Sequence, residues 1–262
     1  MSFPKCRVIG AAVFAAIASF HPVHADVITL NPVADTTLIQ VDPNANLGGA
    51  DFFNAGTAGN GNRNRAIMLF SLSEFIPTGS TINNVSVMLD IVRQPAVDLE
   101  PALFSLRRMQ TSWSEGDKTP IEEGSPGLGA PATEGDATWL YRSVGGEAWS
   151  TPGGHAGVDF SSTVSSTAFV YGIGDPVQFE STLELTADVQ FWLDNPSANF
   201  GWMLMTETEQ VRKSARSFAS REDASGGPML IIDFTPVPEP GTFALLGLAS
   251  LGLLAARTFS RR

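Results

Sequence analysis

The sequence predicts an all-β protein: a single jelly-roll-like antiparallel β-sandwich with one short helix, set between an N-terminal signal helix and a C-terminal transmembrane helix. Three observations predict this. Short apolar runs recur along the chain, each of about five to eight residues and several with strict two-residue alternation. Glycine and proline, 25 and 17 residues in 262, punctuate them too often for long helices to form. Apolar segments with few charges stand at both ends.

The N-terminal end has the three parts of an export signal. Lys5 and Arg7 precede an apolar run from Val8 to Phe20, and "VHA" supplies small residues for cleavage after Ala25. The apolar run is shorter than the ~20 residues a span needs, which favours a cleaved signal over an anchor. The one cysteine, Cys6, lies inside this leader, so the mature chain is expected to hold together by packing, without disulfides.

In the body, "VSVMLDIV" places Val85, Val87, Leu89 and Ile91 on one face, with Ser86 and Asp90 on the other. "AIMLFSL" (66–72), "ALFSL" (102–106), "GWMLMT" (201–206) and "MLIIDF" (229–234) are short, apolar and bounded by turn formers. One helix is expected in "TADVQFWLDN", with Val189, Trp192 and Leu193 on one side and Thr186 as its N-cap. Many short strands with one minor helix imply two packed sheets. The boundaries expected are a signal over 1–25, a sandwich over 26–235 and a C-terminal sorting segment over 236–262.

Charge narrows the function. The chain has 16 basic and 27 acidic residues. Five of the basic residues and Glu239 belong to the two end segments, which leaves a body of 11 basic and 26 acidic residues, net −15. A surface so acidic repels phosphate backbones, and nucleic-acid binding is not expected.

At the C-terminal end, 16 uncharged residues from Gly241 to Ala256 cover about 24 Å as a helix, short of a ~30 Å hydrocarbon layer. Snorkelling of Arg257 extends the span to about 241–259, and Arg257, Arg261 and Arg262 fit the cytoplasmic side. "VPEP", Val237, Pro238, Glu239 and Pro240, stands just before it. Extended Pro-Glu-Pro, apolar helix and basic end together resemble the PEP-CTERM sorting signal of Gram-negative bacteria. That resemblance implies recognition by a membrane protease-transpeptidase, exosortase, and delivery from the inner membrane to the cell surface or extracellular matrix.

A second resemblance covers most of residues 33–235. "ADTTLIQ", "NANLGGADFFNAG", "NRNRAIMLFSLSEFIPTGSTINNVSVMLDIV", "TSWSEGD", "ATWLYRSVGGEAWSTPGG", "LTADVQFWLDNPSANFGWMLM" and "RSFASREDASGGPMLIIDF" follow in the order of a DNRLRE domain, a secreted β-sandwich related to carbohydrate-binding modules. It implies a jelly-roll sandwich that binds polysaccharide or serves as a wall or matrix module. Some relatives are associated with acidic polysaccharides, which would call for a basic groove. Here the cations are few and grouped: Arg63 with Arg65, Arg107 with Arg108, and Arg212 with Lys213 and Arg216.

Catalytic patterns are scarce. His155 is the one histidine left after signal removal, and there is no zinc-ligand spacing, nucleophile elbow or phosphate loop. A lyase reading would group Tyr141, Arg142 and His155, but on a strand Tyr141 and Arg142 would project to opposite faces. An enzyme is not expected; a polysaccharide lyase or hydrolase is the remote alternative. For a sugar site the candidates are Trp139, Tyr141, Arg142, Trp149 and His155, as rings and polar groups in loop-rich sequence. No cofactor is expected apart from structural calcium. Asp42, Asn44, Asn46 and Asp51 place oxygen donors in one loop, although Leu47 and Phe53 break the EF-hand pattern, and Glu115 with Asp117 forms a second candidate. The leading expectation is a non-catalytic surface or matrix protein that binds polysaccharide, against a structural or adhesive module with no sugar site.

Overall fold

The computed structural model describes residues 24–96, 100–121, 127–175 and 177–237. The predicted signal up to Val23, the span over 241–259, and Pro238, Glu239 and Pro240 lie outside them. No helix among the described residues is long and apolar enough to cross a membrane.

The chain runs β1 (Asp26–Leu30), β2 (Ala34–Ile39), β3 (Ala45–Asn46), β4 (Phe52–Thr57), β5 (Arg63–Leu69), β6 (Thr81–Leu89) and β7 (Ile91–Arg93). It continues with β8 (Ala102–Arg108), β9 (Ala130–Pro131), β10 (Ser166–Val170), β11 (Val177–Phe179) and α1 (Leu183–Asp194). It then ends in β12 (Trp202–Thr206), β13 (Arg216–Ala219) and β14 (Met229–Thr235).

Two antiparallel sheets face each other. The small one has the order β1-β14-β6-β11; the large one has the order β10-β8-β12-β5-β4-β13-β7, with β2 also paired to β5. The all-β sandwich expected from the sequence is therefore present. Alternation explains the small sheet: Val85, Val87, Leu230, Ile232 and Phe234 are buried, while the residues between them lie half-buried or exposed. "VSVMLDIV" is one apolar pattern but two strands. The chain breaks at exposed Asp90, and β7 joins the large sheet while Ile91 keeps its buried face.

Helix α1 starts earlier than predicted. Thr182, not Thr186, is the N-cap, and its Oγ1 accepts from Leu185 N at 2.9 Å. Leu185, Val189, Trp192 and Leu193 face the main core. Asp188 pins the helix to the large sheet: its carboxylate accepts from Ser165 Oγ at 2.5 Å and Trp202 Nε1 at 3.0 Å, and pairs with Arg108 at 2.9 Å. Burial pushes this carboxyl above its ordinary range, against the pull of those three partners.

The large sheet is covered on both faces, which is why its strands read as continuous apolar runs. On β12, Trp202 and Leu204 belong to the main core between the sheets, whereas Met203 belongs to a second core on the outer face. Arg65 and Ile67 on β5 face the same outer side. The cover there is the long connection between β8 and β10, which has little regular structure. Chain entry and exit lie side by side, because Asp26 pairs with Phe234 across β1 and β14.

Candidate functional site

The segment predicted to carry a sugar site is the one that covers the outer face. Trp139 and Trp149 are each 4% exposed, packed with Leu38, Ile67, Met109, Phe160 and Met203. Trp149 Nε1 donates to Thr138 O at 2.8 Å, and Trp139 O accepts from Gly153 N at 2.6 Å. Gly153 has φ +85° and lies flat on the Trp139 indole; a Cβ there would sit 2.5 Å from Cζ2. Stacking on a pyranose needs an open ring face, and these two rings are covered. The platform expected of Trp139 and Trp149 is a core instead.

The other three candidates each have contacts of their own. Tyr141 is 37% exposed and makes an isolated bridge with Ala148. The Arg142 guanidinium pairs with Glu147 and donates to Ser112 O at 3.2 Å. His155 is exposed; its N–H donates to Asp159 at 2.8 Å. Asp159, missed in the sequence, organises the turn, since its buried carboxylate also accepts from Ser150 Oγ at 2.5 Å.

A cation from each of the three groups is also engaged. Arg65 forks onto Glu209 at 2.7 and 2.8 Å, donates to Gly153 O and Gly154 O at 2.8 and 3.0 Å, and lies 5.6 Å over Trp139. Arg107 pairs with Glu207 at 2.9 Å. Arg216 is buried against backbone carbonyls alone, those of Glu100, Tyr171, Lys213, Ser214 and Ala215, and burial lowers its pKa.

In the proposed calcium loop, Asn46 is fully buried and its side chain is spent. Nδ2 donates to Glu115 O at 2.7 Å and Ala137 O at 2.9 Å; Oδ1 accepts from Gly48 N at 2.9 Å and Lys118 N at 3.2 Å. Gly116, at φ +83°, leaves room for it, since a Cβ there would meet Asn46 Oδ1 at 2.4 Å. Asn46 is thus a lock between two loops, not an open calcium ligand. Asp42 is half-buried, and Asn44 and Asp51 are exposed.

Glu115 goes elsewhere than predicted. It converges not with Asp117 but with Asp35 and Glu222, the one place among the described residues where three acidic side chains lie within 4.8 Å of one another. Asp35, 1% exposed, accepts from Arg221 N at 2.9 Å, while its own N–H donates to Glu115 at 2.7 Å. Burial, reinforced by the Glu222 and Glu115 charges and opposed by Arg221, lifts the Asp35 pKa to about 8. Arg221 forks onto Glu115 at 2.6 and 2.8 Å and reaches Glu222 at 2.8 Å. The guanidinium therefore already supplies the cation that three carboxylates would otherwise attract. Separations of 80 and 186 residues hid this cluster from any local pattern.

Residues 236–262 match the PEP-CTERM protein-sorting motif. It marks an exported protein, held at the membrane before exosortase processes it. No curated protein matches the chain. The PEP-CTERM motif thus supports the sorting half of the reading directly, while the sandwich has to be read from its own geometry.

Proposed function

We propose that the sandwich is a non-catalytic structural or adhesive module, delivered by exosortase sorting to the cell surface or extracellular matrix. One observation carries this reading: the tryptophans that a sugar site would use are spent on packing. Trp139, Trp149, Trp192 and Trp202 are buried, and Trp113 is half-buried with Nε1 donating to Phe200 O at 2.8 Å. The jelly-roll-like, DNRLRE-type assignment belongs to the same proposal. Its blocks supply most of the strands, and Asp35, Glu115 and Glu222 come from three of them.

A polysaccharide partner is a second reading, favoured by a different pair of rings. Phe169, on the edge strand β10, and Tyr171, just past its end, are 59% and 52% exposed. Alternation places them on one side, where a glycan chain would stack.

The test is retention of the purified protein on soluble and insoluble polysaccharides, with calcium and then with EDTA. A folded protein with no retention is the expected result. Saturable retention lost in Phe169→Ala/Tyr171→Ala would replace the structural reading with the glycan one. Retention lost in EDTA alone would return calcium to the account, at Asp42, Asn44 and Asp51.

A further inference from the structure

Strand β1 is the outermost strand of the small sheet and is lightly held. Of its five residues only Leu30 is buried and Ile28 half-buried; Asp26, Val27 and Thr29 are exposed. The strand it covers is more apolar, since Leu230, Ile232 and Phe234 of β14 are all buried. Without β1, β14 would be an open edge with a row of unpaired backbone groups.

Asn31, Pro32 and Val33 alone connect β1 to β2, and they carry the chain from the small sheet to the large one. Four Cα steps of about 3.8 Å reach at most about 15 Å and must bridge sheets about 10 Å apart, so this connection is short and has no room for a turn of its own. Pro32 restricts it further, and Val33 N donates to Leu69 O at 2.7 Å to fix its far end. A short, stiff hinge beside a terminal strand favours exchange of that strand between copies, because the hinge loses little by running straight on.

We propose that β1 is an exchangeable strand: β1 of one copy takes the seat beside β14 of a second copy and joins the two chains. The seat already defines its occupant, with Asp26 opposite Phe234 and Leu30 opposite Leu230. The same residues fill it in either arrangement, so the joined state needs no new side-chain chemistry. Mutual exchange closes a dimer, whereas one-way exchange leaves a free strand and a free edge and builds a chain of modules. The use of such a chain in a matrix rests on the structural reading above; the geometry rests on β1 and β14 alone.

Thr29 and Ile231 lie opposite each other on the outer face and report where β1 sits. The full chain in detergent, with Cys6→Ser, Thr29→Cys and Ile231→Cys, is held at rising protein concentration and then oxidised. Exchange gives disulfide-linked dimers and a ladder whose share grows with concentration. A four-residue Gly/Ser insertion after Asn31, which relaxes the hinge, abolishes the ladder. A purely intramolecular bond at every concentration overturns the proposal. If that pair impairs folding, Val27→Cys with Asp233→Cys gives the same readout one register step away. A ladder from a protein that never leaves the membrane would keep exchange and sink the matrix reading. An intramolecular bond in a protein found in the matrix would do the reverse.

Discussion

The two faces of the large sheet bury their side chains by different means. The inner face meets a second sheet and α1, and its contacts come from regular elements: Phe53 stacks on its cross-strand neighbour Phe218 at 5.7 Å, and Trp192 of α1 meets Trp202 of β12 at 4.4 Å. The outer face meets a long irregular segment, whose order comes from side-chain-to-backbone bonds, glycines at positive φ and Arg65 spread over Trp139. The first arrangement follows from periodicity. The second depends on single residues that each hold several groups, so it is more fragile per residue and less visible in the sequence.

The comparison can be broken most severely from the inner side. Trp202→Ala empties the centre of the main core and leaves half-buried Asp188 short of a donor; a loss of about 4 kcal/mol in urea unfolding is expected. A loss under about 1 kcal/mol would mean that the inner core is not the more costly one to empty. On the outer side, Gly153→Ala must move either a left-handed backbone or the Trp139 ring, at about 2–3 kcal/mol. Its hydrogen exchange should rise in residues 109–165 while β6 and β14 stay protected. Uniform deprotection would show that the two cores melt as one.

Asp35 gives the pH arm. Its folded pKa of about 8 lies above the ordinary value of 3.8. Its contribution to stability is therefore fully present below about pH 4, is lost progressively as pH rises to about 8, and is flat beyond. Asp35→Asn should remove that fall, seen as a thermal midpoint less sensitive to pH than the wild type's across this window. Equal slopes would mean that the cluster does not hold a proton. Asn46→Ala strands four bonded main-chain groups at the loop junction, for about 2 kcal/mol by denaturant titration. The smallest effect belongs to His155→Ala, within about 0.5 kcal/mol, because its exposed ring has no bonded partner in the turn that its backbone closes.

What was legible follows the same division. "VSVMLDIV" and "MLIIDF" show their buried faces by alternation alone, and Val189, Trp192 and Leu193 fall together by helical spacing. β5 begins three residues before "AIMLFSL", since Arg63, Asn64 and Arg65 look like a polar turn until Arg65 is seen facing the outer core. Trp139 and Trp149 sit among Gly, Ser and Pro, a composition that reads as an exposed loop; only the tertiary fold shows that the loop is itself a lid of packed rings. Asn46 misled for a related reason: an oxygen-rich loop suits a cation, but a buried amide that bonds four main-chain groups does the same organising work without one. The sorting segment was legible because Pro-Glu-Pro, apolar run and basic end are contiguous.

The pairing of Asp26 with Phe234 places the two ends of the sandwich on neighbouring strands. A unit whose ends meet is portable: it can be set into a surface loop of another protein, or strung in tandem, without stretching either host or guest. It can also be circularised. A short bridge from Ala25 to Val237 would give a ring with new termini in any exposed loop, and sequence order would cease to decide which strand is first.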